Sequence, residues 1–116
     1  MRNFKKLLIW QKGMQLVDKL YTAAVYFPDE ERFGMRSQST RAVVSIPSNI
    51  AEGSAKRSQK ELLKYVEVSL GSSFELETHL LVIQNRKWFP KEVIDELLDL
   101  MTEEQRMISK FMEKIS

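Results

Sequence analysis

Apolar residues recur every three or four positions through four long segments of the 116-residue chain, and this spacing is the feature that most restricts its fold. Such spacing places the apolar side chains along one side of a helix. The segments cover about residues 4–27, 35–53, 59–87 and 91–114. No segment shows the alternating pattern of a strand. The sequence therefore predicts an all-α protein, an antiparallel up-and-down four-helix bundle that forms a single domain over residues 1–116.

The spacing also predicts which side of each helix faces the core. In the first helix the regular seam is Leu7, Trp10, Met14, Val17, Tyr21 and Ala24, with Leu8, Leu16, Leu20 and Val25 beside it. In the second it is Met35, Ser39, Ala42, Val43, Ile46 and Ile50. In the third it is Leu62, Val66, Ser69, Ser73, Leu76, Leu80 and Ile83. In the fourth it is Ile94, Leu97, Met101, Ile108, Phe111 and Ile115, with Glu104 as an interruption. Several helices carry apolar residues on more than one side, including Trp10, Phe111 and Met112. A lone bundle would leave some of them exposed, so we expect a homo-oligomer.

The second segment contains a proline, Pro47, in the middle of its helical spacing. Proline has no N–H, and its ring crowds the carbonyl four residues earlier, here that of Val43, at a cost of about 3 kcal/mol. Either the helix breaks and Pro47 begins a new one, or a single helix continues with a kink. The apolar spacing continues across the proline and favours a second helix kinked at Pro47. Ser45 and Asn49 would then bond freed backbone groups or a neighbouring helix.

Small residues indicate close packing and helix ends. Gly13 lies inside the first helix, where glycine costs about 1 kcal/mol relative to alanine; either a neighbouring backbone approaches there or the cost is tolerated. Gly53 occupies the position of a left-handed residue that ends a helix. Ser58 followed by Glu61 matches a capping box at the start of the third helix. Small residues at 71–73 would allow a close helix crossing.

The charge is unevenly distributed, although the net charge is only +2. Residues 1–27 carry five basic residues and one acidic residue, and residues 36–64 carry six basic and two acidic residues. Residues 90–116 carry four basic and seven acidic residues. A folded bundle could therefore present faces of opposite sign. An ordinary solvated surface with uneven charge explains the same distribution.

Basic residues around the junction of the second and third helices form the candidate nucleic-acid-binding set. They are Arg36, Arg41, Lys56, Arg57, Lys60 and Lys64. Repeated by oligomer symmetry, such a set could track a phosphate backbone, and Lys5, Lys6 and Lys12 would extend it. The alternative is that Arg41 pairs with Glu52 or with a carboxylate of another helix, while the lysines only keep the protein soluble. No aromatic motif for base stacking accompanies the set, so sequence-specific readout is not predicted.

The residues form no recognisable catalytic, cofactor-binding or metal-binding constellation. The chain has no cysteine, which excludes disulfides and thiolate metal sites. His79 is the single histidine, and Glu75 lies one turn before it. The pair could offer two metal ligands or a hydrolytic couple, but no second histidine or Glu-x-x-His motif completes a metal site. A surface or partly buried histidine that forms a hydrogen bond is the better interpretation.

The sequence also predicts where the protein resides. No segment approaches the roughly 18 apolar residues that a membrane span needs. The start of the chain has basic residues before apolar ones, but Lys12, Asp18 and Lys19 interrupt the apolar run, unlike a signal peptide. We therefore expect a cytoplasmic protein. Because no catalytic or cofactor-binding constellation is recognisable, we also expect that it is not an enzyme and needs no cofactor.

The string RAVVSIPSNIAEG at residues 41–53 resembles the signature of the four-helix bundle family named for 23S rRNA intervening sequences. The resemblance extends to LLIWQKGMQLVDKLY, to FPDEERFGMRSQSTRA and to KRSQKELLKYVEVSLGSSFELETHLL, and so covers most of the chain up to about Arg86. The signature positions in this sequence are Arg41, Ser45, Pro47, Asn49, Glu52 and Gly53.

The resemblance implies a bundle that assembles into a ring-like homopentamer. It also implies a similarity to the accessory proteins of diversity-generating retroelements, which bind nucleic acid and a reverse transcriptase. The family is named for the location of its genes, and the resemblance assigns no molecular activity. Two functions follow as hypotheses: a self-assembling bundle that binds RNA or DNA through a basic surface, or a scaffold that binds only protein partners.

Overall fold

The computed structural model describes residues 2–116, and this part of the chain forms four long helices and no strand. They are α1 (Leu8–Ala23), α2 (Met35–Ser54), α3 (Gln59–Arg86) and α4 (Lys91–Ile115). Short 3-10 turns cover Phe4–Lys6, Ala24–Tyr26 and Asp29–Glu31. Each helix packs on the next one along the chain, and α4 closes the bundle against α1. The predicted all-α four-helix bundle is confirmed.

The pairing of side chains between helices gives their relative direction. Lys12 forms a salt bridge with Glu103, and Lys19, seven residues further along α1, forms a salt bridge with Glu96. The residue number rises along α1 while it falls along α4, so these two helices are antiparallel. Ser39 with His79 and Ser45 with Ser72 give the same relation between α2 and α3. Gly13 packs against Pro47, and Arg2, before α1, bonds Ser54 at the end of α2, so α1 and α2 are antiparallel as well. The bundle is therefore up-and-down, with a long axis of 43 Å.

The core faces of α2, α3 and α4 follow the predicted seams closely. Every residue predicted for α3 is buried, from Leu62 to Ile83, and α2 buries its predicted stripe from Ser39 to Ile50. In α4 the buried residues are Ile94, Leu97, Met101, Glu104 and Ile108. Glu104 therefore does not interrupt the seam but belongs to it, with an exposed fraction of 0%.

The core face of α1 differs from the predicted seam. The buried residues are Ile9, Gly13, Leu16, Leu20 and Ala23, again at steps of four and three. Met14 and Tyr21, which were placed in the seam, are 37% and 54% exposed. The prediction was wrong because the glycine at the centre of the true seam contributes no hydrophobic signal, so the flanking apolar row was chosen instead.

Helix α2 continues through Pro47, so the alternative of two helices that meet at the proline is wrong. The kink itself stays a prediction. The proline ring packs against α1 at Gly13, where an added Cβ would lie 3.3 Å from both Cβ and Cδ of Pro47. Gly13 thus serves a close approach of the two helices, as one of the two interpretations of this glycine predicted.

The ends of α3 are set by local hydrogen bonds, and its beginning was predicted correctly. The backbone N–H of Glu61 donates to Ser58 Oγ at 3.1 Å, as in a capped helix. The helix ends at Lys87, whose φ of 57° is left-handed. Gly53 was expected to take such a conformation and does not, because it lies inside α2 and no glycine among residues 2–116 has a positive φ. It instead faces α3, where an added Cβ would lie 2.7 Å from Tyr65 Cβ.

Candidate nucleic-acid interface

The six predicted basic residues lie in two separate places on the bundle. Arg36 and Arg41 lie on the first half of α2, whereas the other four surround the turn between α2 and α3. With a rise of about 1.5 Å per residue, Arg36 and Lys56 are about 30 Å apart along the bundle axis. All six side chains are exposed or half-buried. The structure therefore brings Lys56, Arg57, Lys60 and Lys64 together and leaves the two arginines of α2 apart from them.

A seventh basic residue, Arg2, joins the group at the α2–α3 turn. Its guanidinium donates hydrogen bonds to the backbone carbonyls of Lys56 and, at 3.4 Å, of Ser54. These carbonyls lie at the C-terminal end of α2, where a cation also interacts favourably with the helix dipole. A hollow at this turn is lined by Arg2, Ser54, Ala55, Lys56 and Arg57. Sequence reasoning missed Arg2 because it is more than fifty residues from its partners.

We call this surface the basic end, and define it as Arg2, Lys56, Arg57, Lys60 and Lys64. The salt bridges between carboxylates and lysines within residues 2–116 join Lys12 to Glu103, Lys19 to Glu96 and Lys91 to Asp95. None of them involves the basic end. No carboxylate of these residues therefore lies at salt-bridge distance from the basic end, and Lys56 lies 5.2 Å from the centre of the Tyr65 ring.

The two alternatives for individual charges have different outcomes. Arg41 forms no salt bridge with Glu52 or with another carboxylate of the described chain. Lys12 does not extend the basic end, because its ammonium lies 3.0 Å from Glu103 on the α1–α4 side of the bundle. Lys5 remains near the basic end, since it lines a second hollow together with Arg2 and Ser54.

The remaining signature residues join α2 to α3. The side-chain amide of Asn49 donates to the Ser45 carbonyl at 2.8 Å and to Ser45 Oγ at 2.9 Å. Ser45 Oγ in turn lies 2.8 Å from Ser72 Oγ on α3. Gly53 allows Tyr65 to approach α2, and Pro47 is buried. These residues therefore position the two helices that carry the basic end, whereas Glu52 is exposed.

His79 forms a hydrogen bond within the bundle, as predicted, but it is buried rather than at the surface or partly buried. Its Nδ1 lies 3.2 Å from Ser39 Oγ, and its Nε2 lies 3.6 Å from Glu75 Oε2. Burial lowers the pKa of His79, although Glu75 opposes that shift. The order serine, histidine, glutamate is that of a hydrolytic triad. However, Ser39 has an exposed fraction of 0%, so no substrate can reach its hydroxyl in this arrangement.

Two further properties bear on function. Within residues 2–116 no group of three histidine or acidic side chains is arranged to hold a metal ion. No helix of the same residues is sufficiently long and hydrophobic to traverse a lipid bilayer.

The side of the bundle between α1 and α4 is acidic. A groove of about 1230 Å³ runs between these helices. Its acidic lining residues are Asp18, Glu92, Asp95, Glu96, Asp99 and Glu103. Lys12 and Lys19 bridge the groove to Glu103 and Glu96 and neutralise part of this charge. The uneven charge of the sequence is thus carried by a basic end and an acidic groove.

Several large apolar side chains are exposed, but they are not those named from the sequence. Trp10, Phe111 and Met112 are half-buried against the core. Tyr21 and Val44, in contrast, are 54% and 38% exposed. Both line a shallow groove between α1 and α2 that also contains Arg41 and Ser45. We call this the α1–α2 groove.

Comparisons with known proteins agree with this architecture. A family model described as 23S rRNA-intervening sequence protein matches residues 5–110. The chain is also similar to a crystal structure from Bacteroides thetaiotaomicron VPI-5482, a protein of unknown function described as belonging to the S23 ribosomal protein family. The two share 18% sequence identity with a TM-score of 0.83, over 91% of this chain and 96% of the other, which supports the fold. No curated protein matches the chain.

Proposed function

Because the chain belongs to the family of 23S rRNA-intervening sequence proteins, we propose that it is a non-enzymatic, homo-oligomeric bundle that binds RNA or DNA through its basic end. The observation that carries the proposal is a set of five cations around one turn, none of which forms a salt bridge within residues 2–116. Cations in such an arrangement neutralise backbone phosphates and release counterions. The contacts would be independent of base sequence.

Self-assembly would increase this effect. The α1–α2 groove presents Tyr21 and Val44 beside the polar residues Thr40 and Ser48, and a second copy that covered it would bury apolar surface. The family resemblance favours a homopentamer. In a ring, the basic ends of several copies would lie at equivalent positions, and their contacts to one nucleic-acid strand would add. The protein would act in the cytoplasm, without a cofactor.

Salt-dependent binding tests the nucleic-acid proposal. Fluorescently labelled single-stranded and double-stranded RNA and DNA are titrated with the full chain at several salt concentrations. We expect the logarithm of the binding constant to fall linearly with the logarithm of salt concentration. The double variant Arg57→Ala/Lys60→Ala should reduce that slope by about one to two units for each protomer engaged.

The matched control removes two cations from the other end of the bundle. Arg32 and Arg86 are exposed and lie at the end of the bundle opposite to Lys60. Arg32 precedes α2, and Arg86 ends α3, so each is separated from the α2–α3 turn by the length of a helix. The double variant Arg32→Ala/Arg86→Ala should leave the slope unchanged. Equal losses in both double variants, or no binding at low salt, would contradict the proposal.

A second candidate function is a scaffold that binds only protein, and the acidic α1–α4 groove favours it. A basic segment of a partner protein could lie along this groove. The two candidates differ in their response to mutation. A scaffold should lose its partner in a pull-down when Asp99→Asn and Glu92→Gln are combined. It should be unaffected by Arg57→Ala/Lys60→Ala.

A further inference from the structure

Glu104 of α4 places a carboxyl group in the interior of the bundle. Its exposed fraction is 0%, and both carboxyl oxygens lack a hydrogen-bond partner among the residues that the structure describes. A carboxylate buried without partners is strongly unfavourable, whereas a protonated carboxyl group can donate one hydrogen bond. The interior therefore favours the neutral form of Glu104, and a backbone or side-chain acceptor close to its hydroxyl group would stabilise that form.

The carboxyl group lies near a point where α1 and α2 approach each other closely. An added Cβ on Gly13 would lie 3.2 Å from Glu104 Oε2 and 3.3 Å from Cδ of Pro47. Both atoms thus border the same point on α1, and the glycine leaves room for the carboxyl group to approach α2. The proline Cδ is bonded to the nitrogen that would carry the N–H in any other residue.

Pro47 leaves one carbonyl of α2 without its helical donor, that of Val43. The polar side chains around this part of α2 bond other groups: Asn49 donates to the Ser45 carbonyl, and Ser69 donates to the Ile46 carbonyl at 2.8 Å. No side-chain hydrogen bond found within residues 2–116 reaches the Val43 carbonyl. The buried carboxyl group thus has no partner, and the Val43 carbonyl lacks its helical donor because of the same proline that borders Gly13.

We propose that Glu104 is a proton-operated latch, which in its protonated form donates a hydrogen bond to the Val43 carbonyl and on losing the proton loosens the packing of α1 and α2 against α4. Gly13, Pro47 and Glu104 are the parts of this device, one on each of three helices. Gly13 leaves space for the carboxyl group, Pro47 leaves the Val43 carbonyl without its helical donor, and protonated Glu104 supplies the donor.

The charged groups that face Glu104 act in opposite directions. Burial raises the pKa of Glu104 to about 8; Lys12 on α1 lowers it, and Glu103 on α4 raises it. Helix α2 presents the uncharged Pro47. Helix α3 carries the other buried titratable group, His79, which is engaged with Ser39 and Glu75. The pKa of His79 is lowered from 6.5 in the folded chain, so above pH 7 His79 is mostly neutral in both the folded and the unfolded chain.

The direction of the pH dependence follows from these pKa values. In the unfolded chain Glu104 ionises near its ordinary value, 4.5, and in the folded chain near 8. Between these values the folded chain holds a proton that the unfolded chain has lost, so stability falls as the pH rises. The unfolding equilibrium constant should increase by about fivefold between pH 7 and 8 and level off above pH 8, where the folded chain also loses the proton.

Urea unfolding of the full chain at fixed concentration, followed by circular dichroism from pH 7 to 9, tests the proton dependence. The unfolding constant of wild-type protein should rise by about fivefold between pH 7 and 8, whereas that of Glu104→Gln, which keeps a donor but cannot ionise, should stay nearly constant. Glu113→Gln is the matched control, since Glu113 is exposed on the same helix and forms no salt bridge within residues 2–116, and it should keep the wild-type pH dependence. An unchanged pH dependence in Glu104→Gln would overturn the latch.

A double-mutant cycle tests the acceptor. Glu104→Met removes the donor, and Pro47→Ala restores an N–H to the Val43 carbonyl. We expect Glu104→Met to raise the unfolding constant at pH 6.5 by a much larger factor in the Pro47 background than in the Pro47→Ala background. Equal factors would overturn the assigned hydrogen bond. Amide hydrogen exchange gives a second measurement: after correction for intrinsic rates, exchange around Gly13 should accelerate above pH 8 in wild-type protein but not in Glu104→Gln.

Discussion

At the scale of single residues, two glycines of the bundle have opposite surroundings although both lie inside helices. An added Cβ at Gly53 would lie 2.7 Å from Tyr65 Cβ and 3.3 Å from the Leu62 carbonyl oxygen. At Gly71 it would have no neighbour within 4 Å. The first glycine is therefore required by helix packing, and the second only weakens the intrinsic preference of α3 for a helix.

The same substitution at these two positions should change stability in opposite directions. Gly71→Ala should stabilise the fold by up to about 1 kcal/mol, because alanine is the better helix former. Gly53→Ala should destabilise it by about 1–3 kcal/mol, because Tyr65 Cβ belongs to a helix that cannot move without disturbing the core. The free energy of unfolding from urea titrations measures both. Destabilisation by Gly71→Ala, or none by Gly53→Ala, would contradict the packing described for α2 and α3.

At the scale of helices, α2 and α3 are joined by polar as well as apolar contacts. Ser69 Oγ donates to the Ile46 carbonyl, and Ser45 Oγ lies 2.8 Å from Ser72 Oγ. Serine side chains are short, so such bonds form only where two helices approach closely. The serines predicted for a close helix crossing have this role at Ser72, whereas Gly71 beside it faces open space.

A double-mutant cycle on the Ser45–Ser72 pair should show this coupling between the helices. Ser45→Ala and Ser72→Ala each remove the same bond, so the double variant should be less destabilised than the sum of the single ones, by about 0.5–1.5 kcal/mol. The matched control pairs Ser45→Ala with Ser109→Ala, an exposed serine of α4. That pair should be additive, and additivity for both pairs would contradict the contact.

At the scale of the whole molecule, the unpartnered surface should determine assembly. In the α1–α2 groove Tyr21 and Val44 are exposed at the side of the helix bundle. A charge introduced at Val44 would be buried in any assembly that covers this groove. Val44→Glu should therefore shift the protein to smaller species without loss of helicity.

Native mass spectrometry and light scattering measure the subunit number, and circular dichroism reports the helix content. Phe33→Ser is the control, since Phe33 is the most exposed large apolar side chain, at 88%, and lies outside the groove. We expect it to leave the subunit number unchanged. If Phe33→Ser dissociates the assembly and Val44→Glu does not, the interface lies elsewhere.

Much of this fold could be predicted from the sequence, because the apolar spacing of α2, α3 and α4 directly indicates which side of each helix is buried. The cap at Ser58 is equally local, since its partner is three residues away. The seam of α1 could not be predicted in the same way. Its central residue is Gly13, and a glycine carries no hydrophobic signal even when another helix packs directly against it.

The features that bear on function depend mostly on residues that are distant in sequence. Arg2 reaches the α2–α3 turn, Lys12 forms a salt bridge with Glu103 of α4, and Gly13 lies close to both Glu104 and Pro47. The sequence by itself determined the helices and their buried faces, because period and capping are properties of neighbouring residues. The tertiary structure decided which charges form salt bridges, which do not, and which carboxyl group is buried. These properties depend on the distances between side chains of different helices, which neighbouring residues in the sequence do not set.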